Sequence, residues 1–302
     1  MAIITDCKEV AETTSIMASL FAAGFQLKDK RSEADEEAEL DQLLQQGETP
    51  TPHPKGLETR FEESPNGGGF FYANEETPSK CTVFYLHGGA YLHDFSPFHW
   101  RFLEKLIEKT DAMVVTPAYR LVPFATWEDA FNLISPVYRD YVEQHPERKI
   151  VLMGDSAGGG LSLALTEQMK IDGVRMPDEL VLMSPWVDVS MENPAVEAFA
   201  DVDPWLSASS LRVCGRKWAA DIGPRDRRVS PINGDLKGIR NVTVLTGTKE
   251  VLLPDTLKLY SLLDQDGTNE LIVSEGMMHV YPLMPIPEAQ AAHEAIFGKV
   301  TR

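Results

Sequence analysis

The sequence predicts an α/β chain built on a mostly parallel sheet with helices packed on both faces. Three observations carry that expectation. Short apolar runs of strand length alternate with helical segments from about residue 80 onward. Those runs are apolar at successive positions, as strands covered on both faces must be. Two of them end in glycine-rich turns, HGGA at 87–90 and GDSAG at 154–158, which suits backbone brought close to a reacting group at a sheet edge.

In chain order, residues 6–27 read as a helix: Asp6 and Glu9 have capping-box spacing, and Val10, Met17, Phe21 and Phe25 recur at helical intervals. The acidic run Glu33–Asp41 continues as a polar helix with a solvated face. ETPTPHPKG then breaks the helix and marks a linker. LETRFEE and GFFYA flank NGGG and predict a hairpin. The remaining strands are CTVFYLH, AMVVTPA, KIVLMG, ELVLMS, NVTVLTG and ELIVSEG. Helices are expected around Phe98–Lys109, Trp127–Gln144, Gly158–Ile171, Asp255–Leu263 and Pro287–Phe297. Between Val187 and Arg228 no strand is evident, and an insertion of that size between sheet strands is commonly a lid or cap.

Composition bounds the function. The chain has 302 residues, enough for a large core in a single domain, with 43% hydrophobic and 25% charged residues and a formal net charge of −18. So acidic a surface repels phosphate backbones and anionic headgroups, which excludes nucleic acid as a partner and argues against a stable membrane anchor. Cys7, Cys81 and Cys214 are scattered and odd in number, which fits a reducing compartment and neither a disulfide framework nor a zinc knuckle. With neither a signal peptide nor an apolar run of spanning length in view, the cytoplasm is the expected location.

The chemistry centres on Ser156. Gly154-Asp155-Ser156-Ala157-Gly158 fits G-x-S-x-G between a strand and a helix, the context that exposes a serine hydroxyl at a sharp turn. Asp155 should point away from the serine's target and is read as structural. A serine hydroxyl needs a general base. Only His279 and His293 follow it in the chain. His293 sits mid-helix in a surface-like pattern, whereas His279 follows the last strand in a loop, so His279 is the expected base. The base in turn needs a carboxylate. Two follow the strand NVTVLTG: Glu250, still in the loop, and Asp255, at the start of a helix, with Glu250 preferred. The turn at Gly88, Gly89 and Ala90, with the amide of Ala157, offers backbone donors for a tetrahedral oxyanion. His87 is read as the anchor of its own turn. His87, His93 and His99 recur every six residues, which is not a ligand spacing on one helix face, so no metal is expected and no cofactor is required. Phe21, Phe25, Tyr91, Trp186, Trp205 and Trp218 supply either a pocket or ordinary core, and among these Tyr91, Trp186 and Trp205, with Leu252, are taken as substrate-lining candidates.

HGGAY, YRLVP at Tyr119–Pro123, GDSAGGG, SPINGDL at Ser230–Leu236, GTKEVLLPD and GMMHVYPL stand in that order. Together they resemble the hormone-sensitive-lipase-like esterases of the α/β-hydrolase fold, over roughly Thr82 to the end. That resemblance implies an eight-stranded sheet, a cap formed by about residues 1–55 and 187–228 on a single domain spanning 1–302, and hydrolysis of small carboxylic esters. It also implies Ser156, Glu250 and His279 as the triad, with oxyanion donors on Gly88, Gly89 or the next residue together with Ala157. Two positions depart from the family pattern: Ala90 replaces a third glycine, and Glu250 replaces an aspartate. A small-molecule ester is then the expected partner, with homo-oligomerisation left open. A ligand-binding module on the same fold, or a hydrolase of amides or thioesters, are the alternatives. The intact serine, acid and histidine argue against the first, and the second shares the same tetrahedral chemistry.

Overall fold

The computed structural model describes residues 14–26, 30–65 and 67–301. Its strands are β1 (Arg60–Glu63), β2 (Gly69–Ala73), β3 (Cys81–Leu86), β4 (Met113–Ala118), β5 (Lys149–Asp155), β6 (Glu179–Met183), β7 (Val242–Lys249) and β8 (Glu270–Met278). They form one eight-stranded sheet in the order β1-β2-β4-β3-β5-β6-β7-β8. β1 pairs with β2, and β2 with β4, in antiparallel fashion, and every other pairing is parallel. The mostly parallel, eight-stranded reading therefore holds.

Side-chain alternation explains why the strands read as continuous apolar runs. Along β3, Phe84 and Leu86 join the core on one face, and Val83 and Tyr85 join the core on the other. Each residue is buried, but against different helices. The first face is covered by α4 (Trp127–Gln144), α5 (Ser156–Asp172) and α7 (Leu253–Leu262), through Ile134, Leu165 and Leu259. The second is covered by α3 (Pro97–Thr110) and α8 (Ala289–Thr301), through Leu103 and Ile296. Register then positions the chemistry. Leu86 pairs with Gly154 across adjacent β3 and β5, so the two glycine-rich turns leave the sheet side by side at its C-terminal edge.

Ahead of the sheet lie α1 (Ile16–Gln26) and α2 (Glu33–Gln46). Of the helix expected over 6–27, residues 6–13 and 27 fall outside the described residues. Within α1 the expected apolar stripe is incomplete: Phe21 and Phe25 pack on the core, but Met17 is exposed. α2 opens on Ser32, whose hydroxyl accepts from the Asp35 amide while the Asp35 carboxylate accepts from the Ser32 amide. The insertion contains α6 (Ala208–Ala219), which packs against α2.

Two readings need correction. The acidic run is not wholly solvated: Glu36 is 4% exposed, because it lies one helical turn before buried Leu40 on the inward face of α2. Nor is His293 a surface residue. It belongs to the buried stripe Ala289, Ala292, His293, Ile296 and Phe297 of α8, with Nε2 2.7 Å from the Pro282 carbonyl oxygen. Burial accordingly lowers its pKa. No helix among the described residues is long and apolar enough to cross a membrane.

Candidate active site

The turn from β5 into α5 carries Ser156 with φ of +51°, a left-handed conformation that a non-glycine residue holds only at a cost of about 1–3 kcal/mol. Its neighbours impose the shape. A Cβ on Gly158 would collide with the carbonyl oxygens of Leu86 and His87 at the end of β3, and one on Gly154 would strike the backbone of Gly158. The Ser156 carbonyl accepts from the Trp186 amide at 2.9 Å. The two glycines of the motif are thus required by close backbone approach, and the turn they allow lifts the serine side chain toward the C-terminal edge of the sheet.

Two loops on neighbouring strands complete the line. His279, just after β8, has Nε2 2.9 Å from Ser156 Oγ and Nδ1 2.7 Å from Glu250 Oε2. Glu250 follows β7 and is fully buried. A buried carboxylate needs donors on each oxygen. Its Oε1 accepts from Ser184 Oγ at 3.0 Å, from the Gly247 amide at 2.8 Å and from the Thr246 hydroxyl, which leaves Oε2 for His279. Ser184 Oγ in turn accepts from the Val280 amide at 3.0 Å, which ties the histidine loop to the same anchor. Of the two carboxylates that the sequence left open, Glu250 faces His279. Asp255 lies in the first turn of α7, accepts from Asn193 Nδ2 at 2.8 Å, and has its pKa raised by burial.

The other turn is organised by Asp155. Tyr85 donates its hydroxyl to Asp155 Oδ1 at 2.6 Å, and the Gly88 amide donates to the same oxygen at 3.0 Å. The Ser96 amide donates to His99 Nδ1, so that ring carries its proton on Nε2, 3.3 Å from Asp155 Oδ2, and donates there. Burial alone would raise the Asp155 pKa, but the electrostatic pull and hydrogen bond of the His99 Nε2–H and the hydroxyl of Tyr85 outweigh it and hold the carboxyl below its ordinary range. Asp155 holds the neighbouring turn in place, as its structural reading expects, and the residue also lines the cavity that holds Ser156. This corrects the reading of Gly88 as an oxyanion donor: its N–H is committed to Asp155. Among the described residues no protein acceptor takes the Gly89 or Ala90 N–H, and both residues line the cavity that holds Ser156 and His279. Gly89 (φ +113°) and Ala90 (φ +55°) turn the chain sharply here. His87 lies beneath, stacked on Tyr119 with ring centroids 4.4 Å apart and with Nδ1 2.6 Å from the Gly88 carbonyl oxygen. Burial takes its pKa down to about 4.

The cavity measures about 510 Å³. Trp205 lines it, stacked on Phe25 at 4.6 Å and edge-on to the His279 ring at 5.8 Å. The other three substrate-lining candidates do not. Tyr91 is buried, donates to the Ala157 carbonyl at 2.9 Å and stacks on Trp218 at 4.1 Å. Trp186 also stacks on Tyr91, with ring centroids 5.7 Å apart, and Leu252 is buried in the core. Residues that the sequence reading missed take part instead: Arg31 and Glu36 from the α2 region, Ser210 and Leu211 from α6, and Leu283 and Met284 after His279. Asp203, also missed, accepts from the Trp205 and Leu206 amides at 2.8 Å and from the Val251 amide at 2.9 Å. It thereby ties the loop bearing Trp205 to the loop bearing Glu250. Burial pushes its pKa up. An aspartate before proline reads as a turn, and nothing local signals this bridge.

Comparison with known proteins gives a consistent picture. The family model of the alpha/beta hydrolase fold matches residues 83–283. An esterase of Acinetobacter venetianus is 32% identical over 185 residues, covering 61% of this chain and 61% of that protein. An acetyl-hydrolase of Streptomyces hygroscopicus is 30% identical over 188 residues, covering 62% of this chain and 63% of its own length. The chain thus spans a little over three fifths of these two relatives. Among solved structures, a candidate esterase from Staphylococcus aureus superposes with a TM-score of 0.81 at 27% identity, covering 91% of this chain and 95% of that one. A hormone-sensitive lipase from a metagenome library superposes at 0.78 with 23% identity over 96% and 99% of the two chains, a likeness of fold.

Proposed function

The chain belongs to the alpha/beta hydrolase fold family, and from that premise we propose that it is a carboxylic ester hydrolase working through an acyl-enzyme on Ser156. One observation carries the reading: Ser156 Oγ, the His279 ring and Glu250 form an unbroken hydrogen-bond line, and the far oxygen of Glu250 is occupied by three donors. Glu250 then has one free oxygen, which orients His279 with its proton on Nδ1 and leaves Nε2 to accept the serine proton. A ligand-binding module would have no use for this line or for a serine held in a strained turn.

Ser156 Oγ attacks the ester carbonyl as His279 takes its proton. Negative charge develops on the carbonyl oxygen, where the N–H groups of Gly89, Ala90 and Ala157 stabilise it. Collapse expels the alcohol with the proton held by His279, and water repeats the sequence on the acyl group. No cofactor takes part. Of the expected cap, the described residues 14–26, 30–55 and 187–228 cover the site of the single domain, and the partly enclosed cavity suits esters with small or short acyl groups. Buried, unpaired Cys81 and Cys214 favour the cytoplasm. A small-molecule ester is the one partner this reading requires, although self-association is compatible with it.

The test is hydrolysis of p-nitrophenyl butyrate by the purified chain and by Ser156→Ala. The variant should lose roughly 10⁴–10⁶ in kcat with an unchanged circular dichroism spectrum. A folded variant that keeps more than a tenth of the activity would overturn the assignment.

A further inference from the structure

We infer that the preferred substrate is an ester bearing an ammonium group on one of its two arms. The inference rests on the esterase reading and adds a substrate class to it. With the acyl carbon at Ser156 and its oxygen toward Gly89 and Ala90, the acyl and alcohol arms must run along the cavity walls. Those walls differ in character. One stretch is apolar: Phe25 stacks on Trp205, Trp205 meets His279, and Val280, Leu283 and Met284 follow. Another is a connected polar stretch. Arg31 Nε lies 3.2 Å from Glu36 Oε1 and its guanidinium also pairs with Glu39, Glu36 accepts from the Ser210 hydroxyl, and Glu39 lies 3.8 Å from the ring of His93, next to Asp94.

The charges on this stretch do not balance. Arg31 is the one Lys or Arg among the described lining residues, and it is shared between two carboxylates. Asp94 also lines the cavity. It accepts from the Phe95 amide at 2.7 Å, and its nearest basic group is the buried ring of His87 at 4.0 Å. Glu36 is 96% buried in this wall, and its Oε2 has no hydrogen-bond partner among the described residues. Two lining carboxylates, Glu36 and Asp94, together with Glu39, which pairs with the lining residues Arg31 and His93, are thus set against one guanidinium in a partly enclosed space. Low-dielectric walls focus such a field, which attracts a cationic arm and repels an anionic one.

The experiment compares charged and uncharged esters of one shape, by pH-stat titration of the full chain at low salt, each corrected for its rate with hydroxide. Acetylcholine against 3,3-dimethylbutyl acetate probes the alcohol arm. Methyl 4-aminobutyrate against methyl pentanoate probes the acyl arm. The charged member of at least one pair should have a kcat/KM about tenfold higher, the size expected of one unneutralised charge nearby, and the preference should shrink in 0.5 M salt, where the screening length falls to a few ångströms, ~4 Å. Asp94→Asn should reduce the ratio and Arg31→Gln should enlarge it. A merely structural role for either side chain would not shift the ratios in opposite directions. Absence of preference in both pairs, or shifts of the same sign in the two variants, overturns the inference even while neutral esters are hydrolysed well. Failure of the wild-type chain to hydrolyse the neutral esters would sink the esterase reading itself.

Discussion

Replacing Glu250 by glutamine changes one oxygen into an NH2 group and forces a choice. In one orientation the glutamine oxygen stays with the three donors from Ser184, Thr246 and Gly247, and its NH2 faces His279 Nδ1. His279 must then accept at Nδ1 and carry its proton on Nε2, pointing at Ser156 Oγ 2.9 Å away, where it cannot receive the serine proton. In the flipped orientation the NH2 meets the Gly247 N–H, which can only donate, and the Ser184 and Thr246 hydroxyls lose their acceptor; each buried group left unsatisfied costs about 1–3 kcal/mol. The first orientation therefore wins, and with it the inactive tautomer. The reference loss for such a change is roughly 10⁴ in kcat, or about 5.5 kcal/mol of transition-state stabilisation, with KM little altered. Asp255→Asn should leave kcat within about threefold and cost only about 0.3–1 kcal/mol of helix-start electrostatics. Stopped-flow release of p-nitrophenol gives kcat, and urea titration gives stability. A Glu250→Gln enzyme that keeps a tenth of wild-type kcat, or an Asp255→Asn enzyme that loses it, would refute this reasoning.

Three further outcomes follow from the geometry. His87 is neutral in the fold with a pKa of about 4 against 6.5 in the unfolded chain, so the unfolded state takes up the proton first; its contribution is intact above pH 6.5 and lost as pH falls toward 4, by up to about 3 kcal/mol. Thermal midpoints should therefore drop between pH 6.5 and 4 less steeply in His87→Asn than in the wild type, and parallel curves would contradict this. Gly158→Ala drives a Cβ into the carbonyl oxygens of Leu86 and His87, and should cost about 1–3 kcal/mol in urea unfolding together with most of the activity. A cavity of about 510 Å³ should favour acetyl to hexanoyl esters over long-chain triglycerides, with no jump in rate as substrate passes its solubility limit.

Much of this arrangement is legible in the sequence because it is encoded locally. Strand runs, turn glycines and the Ser156 motif sit within a few residues of one another, and register between β3 and β5 does the rest. His293 and Glu36 were also legible, since each lies on the buried stripe of its own helix, but a histidine among alanines and a glutamate among acids hide the periodicity. The remainder depends on distant partners. Glu250 and Asp255 differ through Ser184 and Asn193, more than 60 residues away in the chain. Gly88 is removed from the donor set by Asp155, 67 residues on. Whether an aromatic ring faces a cavity or another ring is equally non-local: Tyr91 and Trp186 are paired in the core, whereas Trp205 is turned to the site by Asp203.

The central claim is that the hydroxyl of Ser156 is the nucleophile, and covalent capture addresses it without reference to any natural substrate. The chain should be treated with a fluorophosphonate ester, then digested and mapped by mass spectrometry. The account predicts one adduct per chain, on Ser156, formed at a rate that falls steeply in Glu250→Gln and absent in Ser156→Ala. An adduct on another residue, or a folded, ester-hydrolysing chain that takes up no label at Ser156, would contradict it.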